Sequence, residues 1–196
     1  MSKRVFDLLF GILALILAMP LMAVSALLVY LEDGAPVIFR QKRVGRDGKL
    51  FEIYKLRTMV KNAEQLQSQA GRLDAHGNLI HKTREDPRVT RMGRILRRFS
   101  IDELPQLFNV LDGTMSLVGP RPEMPYIAET YQPWQRNRLT VLPGMTGWWQ
   151  INGRSDKPMH LHVEDDLYYV QHHSMWLDLK IIIRTLWVVL IGKGAY

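Results

Sequence analysis

The chain has 196 residues, a net charge of +7 and no cysteine. This length builds one compact domain with a hydrophobic core and is too short for two ordinary domains. Without cysteine, a disulfide framework, a thiolate metal site and a cysteine nucleophile are all excluded. The positive charge predicts an anionic partner, and nucleic acid, anionic lipid and phosphorylated small molecules all meet that condition.

The N-terminal region contains a long apolar stretch, residues 8–31, without a charged side chain. It exceeds the ~20 apolar residues that cross a hydrocarbon core of about 30 Å. Pro20 lies in its middle and has no amide hydrogen, so we expect a kink or break that divides the run into two pieces, each too short to span. A cleaved signal peptide is the alternative, but its apolar part is only about 7–15 residues long.

The charges that flank this stretch bear on its topology. Lys3 and Arg4 precede it, and the rest of the chain is also basic, so both flanks favour the cytoplasmic side. A helix broken at Pro20 that enters and leaves through one membrane face satisfies both. We therefore predict a re-entrant membrane anchor over residues 1–34 and a folded domain over residues 35–196. A straight transmembrane span is the alternative.

A β-hairpin is predicted next. Two β-rich runs, residues 37–44 and 49–56, flank an Asp-Gly pair that suits a tight turn. A short polar helix is then predicted over residues 61–69, followed by a loop over residues 71–84 that is rich in turn-forming side chains.

Two later segments have amphipathic patterns. Residues 86–99 place arginines and apolar side chains on separate stripes of a helix, and residues 175–190 combine Trp176 and Trp187 with aliphatic side chains. Both patterns suit the headgroup layer of a membrane, and an ordinary core contact is the alternative for each. One hairpin, several helices and little βα alternation predict an α+β fold with a small, mostly helical domain.

Two adjacent carboxylates, Asp102 and Glu103, precede a helical pattern at residues 105–111. Ser100 and Glu103 match a capping box, but Pro105 would then have to donate a helical hydrogen bond, which it cannot do. We therefore predict that Asp102 is the N-cap, where free amides and the helix dipole keep its carboxylate ionised. An ionised carboxylate is a candidate nucleophile.

Arg121 stands between Pro120 and Pro122. The first proline fixes its own φ and the second restricts Arg121 to extended conformations, so the guanidinium is aimed in one direction. Its planar fork suits phosphate. The histidines raise the alternative of a zinc site, at His160 with His162 or at His172 with His173. Because neither pair has convincing partner ligands, we interpret these histidines as surface or hydrogen-bonding residues.

Several segments in chain order together resemble the bacterial sugar transferase family of monotopic phosphoglycosyl transferases. They are Lys3-Arg4-x-Phe6-Asp7, Phe39-Arg40-Gln41-x-Arg43-x-Gly45, Tyr54-Lys55-x-Arg57-Thr58-Met59, Asp102-Glu103-Leu104-Pro105-Gln106, Ser116-Leu117-Val118-Gly119-Pro120-Arg121-Pro122-Glu123, Pro143-Gly144-Met145-Thr146-Gly147-Trp148-x-Gln150, Gly153-Arg154, Asp166-x-x-Tyr169-Val170 and Leu177-Asp178-Leu179-Lys180. The resemblance covers nearly the whole chain.

The resemblance implies transfer of a sugar 1-phosphate from a UDP-sugar to polyprenol (undecaprenyl) phosphate, with release of UMP. Asp102 would be the nucleophile that forms a phosphosugar-aspartyl intermediate, and Glu103 would help to bind Mg²⁺ and assist deprotonation of the acceptor. Both carboxylates would then be metal ligands. Arg121 is the leading phosphate ligand. The other substrate-binding residues that the resemblance implies are Lys55, Arg57, Arg154 and Asp166.

The resemblance also implies a location and partners. It places the catalytic domain at the cytoplasmic face of a bacterial inner membrane, in contact with lipid, at the first membrane step of surface glycan assembly (capsule, O-antigen or exopolysaccharide). The family often has serine before the helix-breaking proline, whereas Met19 precedes Pro20 here. The ending at residues 192–196 favours UDP-glucose or UDP-galactose. Nucleic acid is not an expected partner, and a homo-oligomer is left open.

Two other classes of function compete with the enzyme. A membrane-tethered nucleic-acid-binding protein fits the arginine-rich segment, and a noncatalytic membrane scaffold fits the amphipathic segments. Neither accounts for Asp102, Glu103 and the Pro-Arg-Pro segment.

Overall fold

The computed structural model describes residues 2–63, 65–66, 72–73, 79–80, 86–153 and 162–191. Its helices are α1 (Lys3–Asp33), α2 (Arg91–Arg98), α3 (Gln106–Asp112), α4 (Pro125–Glu129), α5 (Trp148–Ile151), α6 (Val163–His172) and α7 (Met175–Ile191). Its strands are β1 (Ile38–Val44), β2 (Leu50–Leu56), β3 (Arg72–Leu73), β4 (Leu79–Ile80), β5 (Ser116–Val118) and β6 (Gly144–Thr146), and 3₁₀ turns cover Arg46–Gly48, Ile101–Glu103 and Gln135–Thr140. A long apolar helix followed by a small α+β domain confirms the predicted fold class.

Helix α1 continues through Pro20, so the predicted break is wrong, and the alternative of a kink within a continuous helix stays a prediction. Proline removes one hydrogen bond, while the turns on either side keep theirs. The helix ends at Gly34, which has φ +66° and donates its N–H to the carbonyl of Tyr30 at 2.7 Å. In the described part of the chain, α1 is the one helix long and apolar enough to cross a membrane.

Both ends of α1 pack against the domain that follows it. Near the start, Phe6 is buried, and near the end Val29 joins a buried cluster with Leu56 and Leu96. The centre of the helix is bare, since Leu17 is 72% exposed. The apolar surface of α1 is therefore concentrated between its two points of attachment.

The predicted hairpin is confirmed. Strands β1 and β2 are antiparallel in a register that pairs Ile38 with Leu56 and Val44 with Leu50. Asp47 takes φ 57° in the turn between them, a conformation that Asp tolerates better than most residues. Within the polar helix predicted at 61–69, residues 61–63 and 65–66 form turns, and the others lie outside the described residues. Within the predicted loop, β3 and β4 form a short antiparallel pair.

The arginine-rich pattern forms a helix, α2, that begins after Thr90, whose side chain accepts from the N–H of Gly93. Gly93 packs directly against the backbone of the segment that follows β2, at Thr58. A Cβ at this position would sit 2.1 Å from the carbonyl oxygen of Thr58. Only glycine permits this approach, which fixes α2 beside residues 57–59.

Strands β5 and β6 form a parallel pair whose backbones approach very closely at three glycines. A Cβ at Gly144 would lie 2.0 Å from the amide nitrogen of Gly119, and one at Gly147 would lie 2.2 Å from the carbonyl oxygen of Gly119. Helices α6 and α7 cover this pair. The predicted helix at 175–190 is thus confirmed as α7, with Trp176 78% exposed and Trp187 67% exposed.

Candidate active site

Asp102 and Glu103 lie in the 3₁₀ turn that joins α2 to α3. Asp102 is 8% exposed. The prediction that Asp102 is the N-cap of the following helix is wrong, because α3 begins at Gln106 and Pro105 occupies the N-cap position. The 3₁₀ turn has its own short hydrogen bonds, from Glu103 N to Ser100 O at 3.2 Å and from Leu104 N to Ile101 O at 3.2 Å, and it leads directly into α3. Ser100 makes no side-chain cap bond either, so the capping-box alternative is also not seen.

Glu103 is held by two cations. Its Oε1 accepts from Lys55 Nζ at 2.7 Å and from Arg121 Nη2 at 2.6 Å, while Oε2 accepts from Arg121 Nη1 at 3.3 Å. The three side chains come from β2, the 3₁₀ turn and the segment after β5, so the fold brings together three sequence-predicted residues. Each is only 17–19% exposed, which leaves the cluster open to solvent on one side.

The electrostatics of this cluster keep Glu103 ionised. Burial alone would raise the pKa of Glu103, but the charges and hydrogen bonds of Arg121 and Lys55 hold it well below its ordinary value. Burial in turn lowers the pKa of Lys55, and the negative charge of Glu103 opposes that shift. The carboxylate therefore stays negative throughout the neutral range and orients both cations.

Arg97 adds a further cation near Asp102. Its Nε donates to Thr58 Oγ1 at 2.9 Å, which turns the guanidinium of the last turn of α2 inward. Burial lowers the pKa of Arg97, and the negative charge of Asp102 is the largest influence in the opposite direction. The sequence pattern had placed Arg97 on an interfacial stripe with its neighbours. Its contact with Thr58 distinguishes Arg97 from the other arginines of that stripe.

A buried arginine, Arg138, holds the backbone of Arg121 in place. Arg138 is 1% exposed, and its Nη2 donates to the carbonyl oxygen of Arg121 at 2.7 Å and also to the carboxylate of Asp166. Its Nη1 donates to the hydroxyl of Tyr131 and lies 3.8 Å from Glu123 Oε2. Arg138 is not among the residues predicted from the sequence, because nothing in the sequence around it marks it as different from surface arginines.

The structure separates two of the predicted substrate-binding residues from Glu103. Arg57 is 7% exposed and serves the end of α1, where its Nη2 donates to the carbonyl oxygens of Asp33 at 3.0 Å and Gly34 at 2.7 Å. Asp166 is fully buried beside Arg138; burial raises its pKa, and Arg138 opposes the shift. Asp166 therefore contacts the support of Arg121 rather than the open cluster.

Arg154 lies outside the described residues, as does His160. His172 and His173 are exposed, and their Nδ1 atoms contact carbonyl oxygens of their own helix at 2.8 Å. Across the part of the chain that the structure describes, no three His, Cys, Asp or Glu side chains group as a metal site.

Comparison with known proteins shows the family. The model of the bacterial sugar transferases matches residues 1–192. Galactosyl transferase CpsE of Streptococcus agalactiae is 42% identical over 195 residues, 99% of this chain and 43% of that protein. Undecaprenyl-phosphate galactose phosphotransferase of Salmonella typhimurium is 43% identical over 203 residues, 99% of this chain and 41% of that protein.

The chain thus spans about two-fifths of these two curated relatives. It covers 88% of another, the exopolysaccharide production protein ExoY of Sinorhizobium fredii, at 39% identity over 199 residues and the full length of this chain. The matches include both the apolar helix and the domain that contains Asp102, Glu103 and Arg121. This chain belongs to the bacterial sugar transferase family.

Proposed function

We propose that this protein transfers a sugar 1-phosphate from a UDP-sugar to undecaprenyl phosphate, with release of UMP. The observation that carries the proposal is the environment of the two adjacent carboxylates. Glu103 forms ion pairs with Lys55 and Arg121 at 2.7 and 2.6 Å. Asp102 lies beside this cluster and interacts electrostatically with Arg97. The name of the Salmonella relative, which is an undecaprenyl-phosphate galactose phosphotransferase, supports the same class of substrates.

In the proposed first step, a carboxylate oxygen of Asp102 attacks the β-phosphorus of the UDP-sugar. The bond from that phosphorus to the oxygen of UMP breaks, and UMP leaves with the electron pair. In the second step, a phosphate oxygen of undecaprenyl phosphate attacks the phosphosugar-aspartate and restores the free carboxylate. Arg121 and Lys55 stabilise the negative charge that develops on the phosphoryl oxygens.

Glu103 acts in this proposal chiefly by positioning those two cations. A carboxylate whose pKa is held below its ordinary value is a weak base. A phosphate monoester has its second pKa near 6 and is already largely ionised at neutral pH, so the acceptor needs little help from a base. The role in deprotonation that the family resemblance implies is therefore the smaller one.

Magnesium fits the carboxylate pair together with a bound diphosphate. Mg²⁺ uses one or two carboxylates plus substrate phosphates, so a three-carboxylate group is not required. Asp102 and Glu103 would hold the ion together with phosphate oxygens of the substrate. Bound there, Mg²⁺ would neutralise charge on the diphosphate.

Release of UMP is the test of the proposed function. Membranes that contain the protein are supplied with undecaprenyl phosphate and, separately, with UDP-glucose, UDP-galactose and their N-acetylated forms. We expect UMP from at least one donor, and its loss on addition of EDTA and return with Mg²⁺. Asp102→Asn should lower the rate by at least ~10³-fold, because it removes the nucleophile while keeping its shape.

Asp47→Asn is the matched control, since Asp47 is an exposed carboxylate in a turn where asparagine is equally comfortable. No UMP from any donor, together with salt-sensitive DNA binding, would support the nucleic-acid-binding alternative instead. Undiminished surface glycan assembly in cells that carry Asp102→Asn would support the noncatalytic scaffold.

We also propose that α1 is a re-entrant anchor, with the domain on the cytoplasmic face of the inner membrane. Its N-terminal turns and its C-terminal turn contact the same domain, through Arg4 and Arg57 respectively. A spanning helix would place its two ends on opposite faces of the hydrocarbon core, where a domain on one face cannot contact both ends. The exposed centre of α1 is the part that enters the membrane.

Cysteine labelling tests this topology, because the chain has no native cysteine. Ser2→Cys and Ala35→Cys, made singly, should both react with an impermeant thiol reagent from the cytoplasmic side. Adding Pro20→Leu, which restores the missing helical hydrogen bond, should move part of the Ser2→Cys population out of cytoplasmic reach. Labelling of the two positions from opposite sides in the protein with Pro20 would establish a transmembrane helix.

A further inference from the structure

We propose that Arg4 and Asp7, in the first two turns of α1, are positioning residues for the candidate active site. The inference rests on the proposed function, because turnover is one of its readouts. The sequence pattern assigned Lys3 and Arg4 to the aqueous side of a membrane. The structure instead directs Arg4 and Asp7 into the two segments that flank the catalytic carboxylates and Arg121.

Arg4 is attached to the end of α3. Its Nη1 donates to the carbonyl of Val110 at 2.6 Å and its Nη2 donates to the carbonyl of Leu111 at 2.7 Å. Carbonyls in the last turn of a helix carry partial negative charge, so a bidentate cation suits them, and the carbonyl of Val110 also accepts from the N–H of Gly113 at 3.3 Å. Helix α3 follows Glu103 after only two residues. Arg4 thus fixes the far end of the short helix that supports the carboxylate pair.

Asp7 is attached to β5. Its Oδ1 accepts from the hydroxyl of Ser116 at 3.0 Å and from the N–H of Leu117 at 3.1 Å. The hydroxyl oxygen of Ser116 in turn accepts from the N–H of Val118 at 3.3 Å. Strand β5 ends at Val118, and Arg121 follows after two residues. Asp7 therefore fixes the start of the segment that carries the phosphate-binding candidate.

A second route from α1 reaches the same strand. Lys3 Nζ donates to Asp178 Oδ2 at 2.6 Å, and Asp178 Oδ1 accepts from the hydroxyl of Tyr169 at 2.7 Å. That hydroxyl also lies 3.1 Å from the carbonyl oxygen of Val118. Two ionic side chains of α1 are thus connected to β5, one directly and one through Tyr169.

Stability alone does not call for a carboxylate at position 7. Asp7 is 1% exposed, and its Oδ2 has no hydrogen-bond partner among the described residues. Burial of a carboxylate is costly unless its hydrogen bonds offset the loss of water, and here one of its two oxygens has none within the described part of the chain. What the carboxylate provides, and an apolar side chain does not, is a fixed acceptor for two donors of β5. This is a positional function.

The test compares Asp7→Ala with Glu129→Ala in detergent-solubilised full-length protein. Glu129 is an exposed carboxylate on α4, away from the cluster. We expect Asp7→Ala to lower kcat/KM for UMP release by roughly 10- to 100-fold, because small displacements of catalytic groups have effects of this size. Glu129→Ala should leave it unchanged, and both variants should stay in the membrane fraction before extraction. Wild-type activity in Asp7→Ala would overturn the inference.

A double-mutant cycle separates positioning from general damage. If Asp7 acts through Arg121, the double variant with Arg121→Ala should be no slower than Arg121→Ala alone. Losses that multiply would overturn the inference. If Asp7→Ala does not fold, Arg4→Gln is combined with Glu103→Gln instead. The double variant should be no slower than Glu103→Gln alone, and losses that multiply would again overturn the inference. Wild-type protein that releases no UMP would instead refute the proposed function, so the two failures are distinguishable.

Discussion

Arg121 joins two ion clusters that resemble each other in composition and differ in access. Its guanidinium contacts Glu103 together with Lys55, where the side chains are 17–19% exposed. Its carbonyl oxygen contacts Arg138, which pairs with Asp166, and both of these side chains are 1% exposed. A solute can reach the first cluster and not the second. Exposure, rather than residue type, distinguishes side chains that a ligand can contact from side chains that only support other residues.

Glu103 and Asp166 also differ in the direction of their pKa shifts. Burial acts to raise the pKa of both, but two cations outweigh it at Glu103, whereas Arg138 does not outweigh it at Asp166. Asp166 Oδ1 has no hydrogen-bond partner among the described residues. Glu103 is therefore a persistent anion, and Asp166 depends on one partner for its charge.

Removal of Arg138 should have the largest effect on stability. Arg138→Met leaves Asp166 as an uncompensated buried charge, and we expect a loss of about 3–5 kcal/mol in the free energy of unfolding. Burial raises the folded-state pKa of Asp166 above its unfolded value, and loss of Arg138 removes the charge that opposes this shift. The penalty therefore grows as pH rises from the unfolded pKa and is complete above the folded pKa. It should shrink as acidification protonates the carboxyl. Chemical denaturation at several pH values, with exposed Arg46→Met as control, would contradict this if the two variants behaved alike.

Glu103→Gln should spare stability and reduce turnover. The amide removes the negative charge that orients Lys55 and Arg121, so we expect UMP release to fall roughly 100-fold. Because the cluster is partly open to water, the unfolding midpoint should change little. Rates and unfolding curves are compared with Glu129→Gln. A variant that loses stability and keeps its activity would reverse the roles that we assign to the two clusters.

The alkaline limb of the pH–rate profile should report Lys55. Burial lowers its pKa, although Glu103 opposes the shift, so the ammonium loses its proton at a lower pH than an ordinary lysine. Activity should fall as rising pH passes through that value. Lys55→Arg keeps the charge and should move the fall to higher pH. An identical alkaline limb in both proteins would exclude Lys55 as its source.

Local sequence signals were sufficient for several features. The Asp-Gly turn and its flanking β-rich runs predicted the hairpin, and the charge-free run predicted α1. Both predictions were confirmed because each depends on adjacent residues. The family pattern names Glu103, Lys55 and Arg121 together, and the structure brings their side chains into contact, while their roles in binding and catalysis stay predictions.

Features that depend on tertiary contacts were not accessible in the same way. Nothing in the sequence marks Arg138 as buried. The family resemblance predicts that Arg57 binds substrate, and only the structure shows its bonds to the carbonyls of Asp33 and Gly34. The helix start was misplaced because a 3₁₀ turn occupies residues 101–103. Its i to i+3 bonds have no side-chain signature that separates them from a helical N-terminus.

The close approach of Gly119, Gly144 and Gly147 has a consequence for protein engineering. A methyl group at Gly144 or Gly147 would fall 2.0 or 2.2 Å from backbone atoms of Gly119, which cannot change rotamer to make room. These positions should therefore be closed to every side chain in a saturation library, although none of them needs to touch a substrate. Variants at these glycines would be inactive in a selection because Arg121 would be displaced. A library that keeps the three glycines unchanged would place its diversity at positions where it can change specificity.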